Sequence, residues 1–185
     1  MNNDNQSQMT PAELYRHLKN EKYRKRPFET ASLGEGMSVV NEVIDQYWKP
    51  RFLLDNENGT AVEFMGRNET LLTVTSDDID WVSLETGVSA SAKSRAKALD
   101  FHYPSFIYAF RNGVAEVVWQ LAPDGMFYMD EDGFGMEPDE AENIYGFIDR
   151  QGRVLVKFRY VGDNNELIAG MRAEAERIVN SRISK

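Results

Sequence analysis

Residues 106–121 have the sequence Phe106-Ile-Tyr-Ala-Phe-Arg-Asn-Gly-Val-Ala-Glu-Val-Val-Trp-Gln-Leu121. Two apolar runs flank Asn112-Gly113, a dipeptide that tolerates the positive φ angles of a type I′ turn, so the stretch predicts a β-hairpin. A two-residue loop also fixes the register of the two strands. One face of this hairpin is therefore expected to point into the core, with these residues: Phe106, Tyr108 and Phe110 opposite Trp119, Val117 and Ala115.

Further strands are predicted on both sides of this hairpin. After a turn at Pro123-Asp124-Gly125, a third strand is expected over residues 126–129. A second hairpin is expected from residues 144–148 and 153–161, around a turn that ends at Gly152. Upstream, three short strands are predicted over residues 51–54, 60–65 and 69–74. The connections between these three strands are short, which favours antiparallel pairing of neighbouring strands.

Helices are indicated by caps and by apolar periodicity. Thr10-Pro11-Ala12-Glu13 has the residues of a capping box and predicts a helix that continues to about residue 26. Residues 37–48 have apolar residues at helical spacing and predict an amphipathic helix. Residues 89–99 and 165–184 predict two more helices, and residues 76–84 fit either a helix or a strand.

These elements indicate an α+β fold with an antiparallel, partly curved sheet or half-barrel and helices packed on one side. A chain of 185 residues is long enough for one domain with its own core. We expect that domain over residues 10–185, after a disordered tail over residues 1–9. The polar first ten residues and the absence of a long apolar run indicate a cytoplasmic protein with no membrane segment.

Composition excludes several kinds of site. The chain has no cysteine, which excludes disulfides and zinc sites with sulfur ligands. With only two histidines, an imidazole-based metal site is disfavoured, and we expect neither a metal nor another cofactor. The net charge of −9 disfavours nucleic acid as a partner. The exception is residues 11–26, where six Lys or Arg stand against two Glu, so nucleic-acid binding by this helix is a third interpretation.

The most unusual segment is residues 130–143, in which seven of fourteen residues are acidic and none is basic. A calcium loop fits it poorly, because with Gly133 at the turn the first ligand would be Tyr128 and the last Asp139. A plain solvated loop is the simplest interpretation. The functional interpretation is a docking surface for a basic protein, with two apolar anchors among the charges. Its residues are Asp130, Glu131, Asp132, Phe134, Met136, Glu137, Asp139 and Glu140.

An alternative site is a pocket between the curved sheet and the predicted helix 37–48. Its lining residues would be His102, Tyr108, Trp119 and Tyr128. Asp100, His102 and Ser105 lie close together in the sequence, but their spacing matches no catalytic triad. The three tryptophans lie in periodic apolar contexts that are typical of core residues. No catalytic residue is therefore assigned.

Residues 145–160 read Tyr-Gly-Phe-Ile-Asp-Arg-Gln-Gly-Arg-Val-Leu-Val-Lys-Phe-Arg-Tyr, with an aromatic-Gly-aromatic-Ile-Asp start, a glycine turn and a β-branched strand. This pattern resembles one unit of the bacterial WG-type β repeats. The segment lacks the tryptophan of those repeats, and no second copy follows.

The sequence thus favours a binding protein over an enzyme. The expected function is that of a small, acidic, bacterial-type cytosolic protein that occludes a basic partner, as an immunity or inhibitor protein would. The alternative is a small-molecule-binding or enzymatic α+β domain that uses the pocket.

Overall fold

The computed structural model describes residues 10, 13–14, 16, 27–44, 47–63, 75–98, 104–121, 128–129, 135–136 and 142–183. The first four strands are β1 (Phe28–Gly34), β2 (Met37–Ile44), β3 (Tyr47–Asp55) and β4 (Thr60–Glu63). A 3₁₀ turn (Ser76–Asp78), α1 (Trp81–Gly87) and α2 (Ala90–Ala98) follow. The remaining elements are β5 (Pro104–Ile107), β6 (Val114–Gln120), β7 (Tyr128–Met129), β8 (Gly135–Met136), β9 (Asn143–Asp149), β10 (Val154–Tyr160) and α3 (Asn165–Ile183).

The α+β class with antiparallel pairing is confirmed, but the strands form two main sheets. The first sheet has the order β1-β2-β3-β4 and the second the order β10-β9-β6-β5, while β7 and β8 make a separate pair. The helices pack on both faces of the second sheet, because α1 and α2 share its inner core and α3 covers its outer face. The expectation of helices on one side is therefore wrong.

The prediction of a helix over residues 37–48 is wrong. Residues 37–44 form β2 and residues 47–48 begin β3, and the two strands pair with each other. Val39 belongs to the core between the sheets, whereas its neighbour Val40 packs on the opposite face with Phe52 and Leu54. A strand that is buried on both faces has adjacent apolar residues, and such pairs imitate helical spacing.

The turn at Asn112-Gly113 is confirmed, since the two residues have φ angles of 55° and 75°. Beyond the turn the register differs from the prediction by one residue, because Ile107 pairs with Val117 instead of Val118. The amide of Phe110 leaves the hairpin and donates to the carbonyl oxygen of Leu33 in β1, at 2.6 Å. Between the pairs Ile107–Val117 and Arg111–Val114, the first strand therefore has one residue more than β6, which is a β-bulge.

The bulge changes which side chains reach the core. Phe110 is buried together with the predicted face of β6, which consists of Ala115, Val117 and Trp119. Tyr108 is 49% exposed, so its assignment to the core face is wrong.

The predicted meander also has the wrong neighbour for β6. Its second partner is β9, and residues 128–129 pair with β8 rather than with β6. The β9–β10 hairpin around residues 149–152 is confirmed, as are the β3–β4 hairpin, α2 and α3. At Thr10, the side chain of Glu13 accepts hydrogen bonds from the amide and the hydroxyl of the threonine, so the capping box is confirmed too. Residues 17–26 and 64–74 lie outside the described residues.

Among the described residues, three apolar clusters hold the layers together. The largest lies between the two sheets and against α1 and α2, and it contains Trp119 stacked on Phe158 with ring centroids 4.2 Å apart. A second cluster covers the outer face of the first sheet and includes Leu14 of the N-terminal helical turn. A third lies under α3. Both main sheets are thus fixed by packing on each face.

Candidate protein-binding arm

The acidic segment belongs to a long connection between β6 and β9, whose base is fixed. The ladder between these strands ends with Gln120 opposite Asn143. Directly beyond it, the amide of Leu121 donates to the carbonyl oxygen of Glu142, at 2.8 Å. Residues 122–141, which we call the arm, therefore leave and re-enter the second sheet at one point.

The distal part of the arm is a paired ribbon. Tyr128 pairs with Met136, and Met129 pairs with Gly135. Tyr128 follows Gln120 by eight residues, and Met136 precedes Asn143 by seven. The two sets of pairs therefore have the register of a single hairpin with a one-residue offset.

Glu142 anchors the base of the arm to α2. Its two carboxylate oxygens accept hydrogen bonds from the amide and the hydroxyl of Ser89, at 2.5 and 2.7 Å. The Ser89 hydroxyl oxygen in turn accepts from the amide of Ala92, at 3.2 Å, in the first turn of the helix. An anion is stabilised at this position by the unpaired amides and the dipole of a helix N-terminus. In the sequence, Glu142 is distinguished only as one of seven acidic residues in its segment. The available signal for its role was Ser89, a helix-capping residue that precedes an alanine-rich run.

Glu142→Ala is expected to lower the free energy of unfolding by about 1–2 kcal/mol, because it removes two charge-assisted hydrogen bonds from a helix cap. The measurement is urea denaturation followed by far-UV circular dichroism. Glu174 is exposed on α3, so Glu174→Ala serves as the control and should change stability by less than about 0.5 kcal/mol. Equal effects of the two substitutions would contradict the anchoring role.

Most of the predicted docking residues lie outside the described residues. These are Asp130, Glu131, Asp132, Phe134, Glu137, Asp139 and Glu140. Met136 is described as a backbone position in β8. The structure therefore gives the base of the arm and the pairing within it, and the docking role stays a prediction.

The alternative pocket is not assembled as predicted. The helix that was to form its wall is β2 and part of β3. Trp119 is fully buried in the core against Phe158, whereas Tyr108 is half exposed. His102 lies outside the described residues, and Tyr128 is described only as a backbone position in β7. Trp119 and Tyr108 thus do not line a common cavity.

The opposite end of β9 carries a polar cluster that the sequence did not reveal. Arg150, in the β9–β10 turn, donates from Nε and Nη2 to the two carboxylate oxygens of Asp55, at 2.9 and 2.8 Å. This guanidinium holds the pKa of Asp55 far below its ordinary value, with the amide and side chain of Asn58 adding to the effect. Arg150 also binds the Glu57 carboxylate and the Glu35 carbonyl oxygen, both at 2.8 Å. We call these four residues the turn cluster: Glu35, Asp55, Glu57 and Arg150.

The turn cluster joins the two sheets. Glu35 belongs to the β1–β2 turn, and its carboxylate accepts from the amides of Asn112 and Gly113 in the β5–β6 turn, at 2.6 and 2.9 Å. Four hairpin turns are therefore tied together at the end of the second sheet that lies away from the arm. Arg150 is paired with Asp55 and Glu57, and the Glu35 carboxylate is bound by the two turn amides, so the cluster is a structural feature.

Within the described segments, no group of three acidic or histidine side chains is placed to hold a metal ion. None of the helices in those segments has the length and apolar composition of a membrane-spanning helix. The chain matches no family model, no curated protein and no solved structure.

Proposed function

We propose that the protein binds a basic protein partner through the arm and occludes that partner's working surface, as an immunity or inhibitor protein of the bacterial cytosol does. The observation that supports this proposal most directly is the pairing of residues 128–129 with 135–136. These four residues form a two-stranded sheet of their own, separate from the two main sheets.

The charge of the arm suits such a partner. Residues 122–141 contain seven acidic residues and no basic residue. A concentrated negative charge accelerates encounter with a basic surface and fixes the orientation of the complex, whereas apolar anchors slow dissociation. Phe134 and Met136 are the apolar anchors that the sequence offers between the charges.

The fixed base of the arm also favours binding. Leu121 and Glu142 hold its two ends together, and Glu142 is bonded to α2. Because the two ends of the arm are fixed before binding, less conformational entropy is lost there when the complex forms. The packed sheets therefore hold the base of the arm in a fixed position for binding.

The test is capture of partners from native cytosol at low and moderate salt, followed by affinity measurement with the purified partner. In the arm variant, Glu131, Asp132, Asp139 and Glu140 are all replaced by lysine. We expect one basic protein to bind the wild type, to bind less at higher salt, and to bind the arm variant at least about 100-fold more weakly, because each close charge pair is reversed.

A matched control separates the arm from the net charge of the protein. In the control variant, four exposed acidic residues outside the arm are replaced by lysine: Glu29, Asp77, Asp163 and Glu174. Both variants change the net charge by the same amount, so only the control should keep the partner. Unchanged binding by the arm variant, or equal loss in both variants, would remove the arm from the interaction.

A further inference from the structure

A groove lies between α1 and α2, which are joined by Val88 and Ser89 alone. Its volume is about 580 Å³. Small-molecule sites in proteins have volumes of roughly 300–1,000 Å³. The described residues that line it are Trp81, Leu84, Glu85, Lys93 and Lys97.

One side of the groove is apolar and well ordered by its contacts. Leu84 is 1% exposed and belongs to the core between the sheets. Trp81 is partly buried, and its indole N–H donates to the carbonyl oxygen of Ser76, at 3.0 Å. Because this bond uses the only polar atom of the side chain, Trp81 can offer a ligand only its ring. An aromatic ring is the group that packs best against such a surface.

The other side of the groove is cationic. Lys93 and Lys97 are four residues apart on α2, so they lie on the same face of the helix. The Lys93 ammonium donates to the carbonyl oxygen of Glu85 in the last turn of α1, at 2.6 Å, and keeps two further N–H donors. Lys97 is exposed and has no hydrogen-bond or ion-pair partner within the described part of the chain. Two cations thus border an apolar wall in a protein of net charge −9.

We propose that this groove binds a small planar aromatic anion. The ring of the ligand packs on the partly buried Trp81, at the apolar side of the groove, and its carboxylate or phosphate group lies between the ammonium groups of Lys93 and Lys97. The exposed Glu85 carboxylate at the rim disfavours a second negative group on the α1 side, which fixes the orientation of the ligand. This site is separate from the arm, so either proposal can fail without the other.

The experiment is isothermal titration calorimetry of the full chain with three probes that share one ring system. They are 2-naphthoate, 2-naphthyl phosphate and the neutral 2-naphthamide. We expect saturable binding of at least one anion, about tenfold or more tighter than that of the amide, since charge-assisted hydrogen bonds are lost in the neutral probe. The tighter of the two anions identifies the preferred anionic group.

Two single substitutions complete the test. Lys97→Gln should weaken binding of the anion by about tenfold and leave binding of the amide unchanged. Lys157 is exposed on β10, so Lys157→Gln is the matched control and should leave both unchanged. A shift of one of the three tryptophan indole N–H resonances should accompany saturation. Three results would overturn the proposal. They are the absence of saturation by either anion at about 10 mM, binding of the amide as tight as that of the anions, and equal effects of the two substitutions.

Discussion

Replacing Arg150 by methionine is expected to lower the free energy of unfolding by about 2–4 kcal/mol. The Asp55 side chain is 2% exposed, and both of its oxygens accept from the Arg150 guanidinium. Without that cation, a buried carboxylate would keep only its hydrogen bonds with residues 57 and 58. The Arg150 side chain is itself 20% exposed, so water reaches the site and the loss stays below that of a fully buried pair.

The same substitution is expected to change the dependence of stability on pH. The pKa of Asp55 in the folded protein lies far below the ordinary value of 3.8, chiefly because of Arg150. The contribution of this pair is therefore fully present above about pH 4 and is lost as the pH falls below that value. Between pH 5 and pH 2, the difference in stability between the wild type and the Arg150→Met variant should shrink.

Urea denaturation at pH 7, 5, 3.5 and 2.5 measures both effects, since urea does not screen charges as guanidinium chloride does. Arg153→Met is the matched control from the same turn. The Arg153 side chain is 52% exposed, and its partner Asp149 is also bound by Arg182, so the expected loss is below about 1 kcal/mol. An Arg150→Met variant no less stable than the Arg153→Met variant would show that the turn cluster does not hold the sheets together.

The turns could be predicted from the sequence because their chemistry is local. A type I′ turn requires positive φ angles, which Asn112 and Gly113 tolerate, and both residues have positive φ angles in the structure. Gly152 ends the β9–β10 turn with a φ angle of 74° for the same reason. In each case the two or three residues of the turn determine the backbone conformation with little help from the rest of the chain.

Strand partners and register could not be predicted because distant residues decide them. The amide of Phe110 bonds to Leu33, which lies 77 residues away, and this contact shifts the β5–β6 pairing by one. Residues 37–44 form a strand because both of its faces find apolar partners in other elements. A helical pattern in the sequence cannot show whether such a second partner exists.

Among the candidate sites, too, local features could be predicted from the sequence and features that depend on distant residues could not. The acidic arm is visible in the sequence because its composition is unusual over one continuous segment. The bond between Glu142 and Ser89 joins residues 53 apart, and the Arg150–Asp55 pair joins residues 95 apart. The groove needs Trp81 and Lys97 on two neighbouring helices. Sites of this kind depend on tertiary contacts, which no local pattern reports.

The second large effect is expected in the core between the sheets. Phe158 and Trp119 are both fully buried, and their rings stack with an angle of 10° between the planes. Phe158→Ala should lower the free energy of unfolding by about 3–5 kcal/mol, through the lost apolar burial, the cavity and the lost ring contact. Phe158→Leu keeps most of the volume and should cost about half as much or less. Urea denaturation followed by tryptophan fluorescence and circular dichroism measures both.

Gly146 gives a sharper test of the same packing. A Cβ atom at this position would lie 2.6 Å from Phe158 ring atoms, and that ring is fully buried and stacked on Trp119. Gly146→Ala alone should therefore cost about 1–3 kcal/mol. In the Phe158→Ala background the obstacle is gone and the added methyl group fills part of the cavity, so the same substitution should cost close to nothing.

The double-mutant cycle should thus give a coupling energy of about 1–3 kcal/mol between positions 146 and 158. Gly170→Ala is the control, because no atom lies within 4 Å of a Cβ at that helical position. It should raise the free energy of unfolding by about 0.5–1 kcal/mol in either background, through helix propensity alone. If the losses of stability at Gly146 and Phe158 were additive, the Phe158 ring would not be the reason that position 146 requires glycine. A coupled loss would show that Gly146 is required because the Phe158 ring occupies the space beside it.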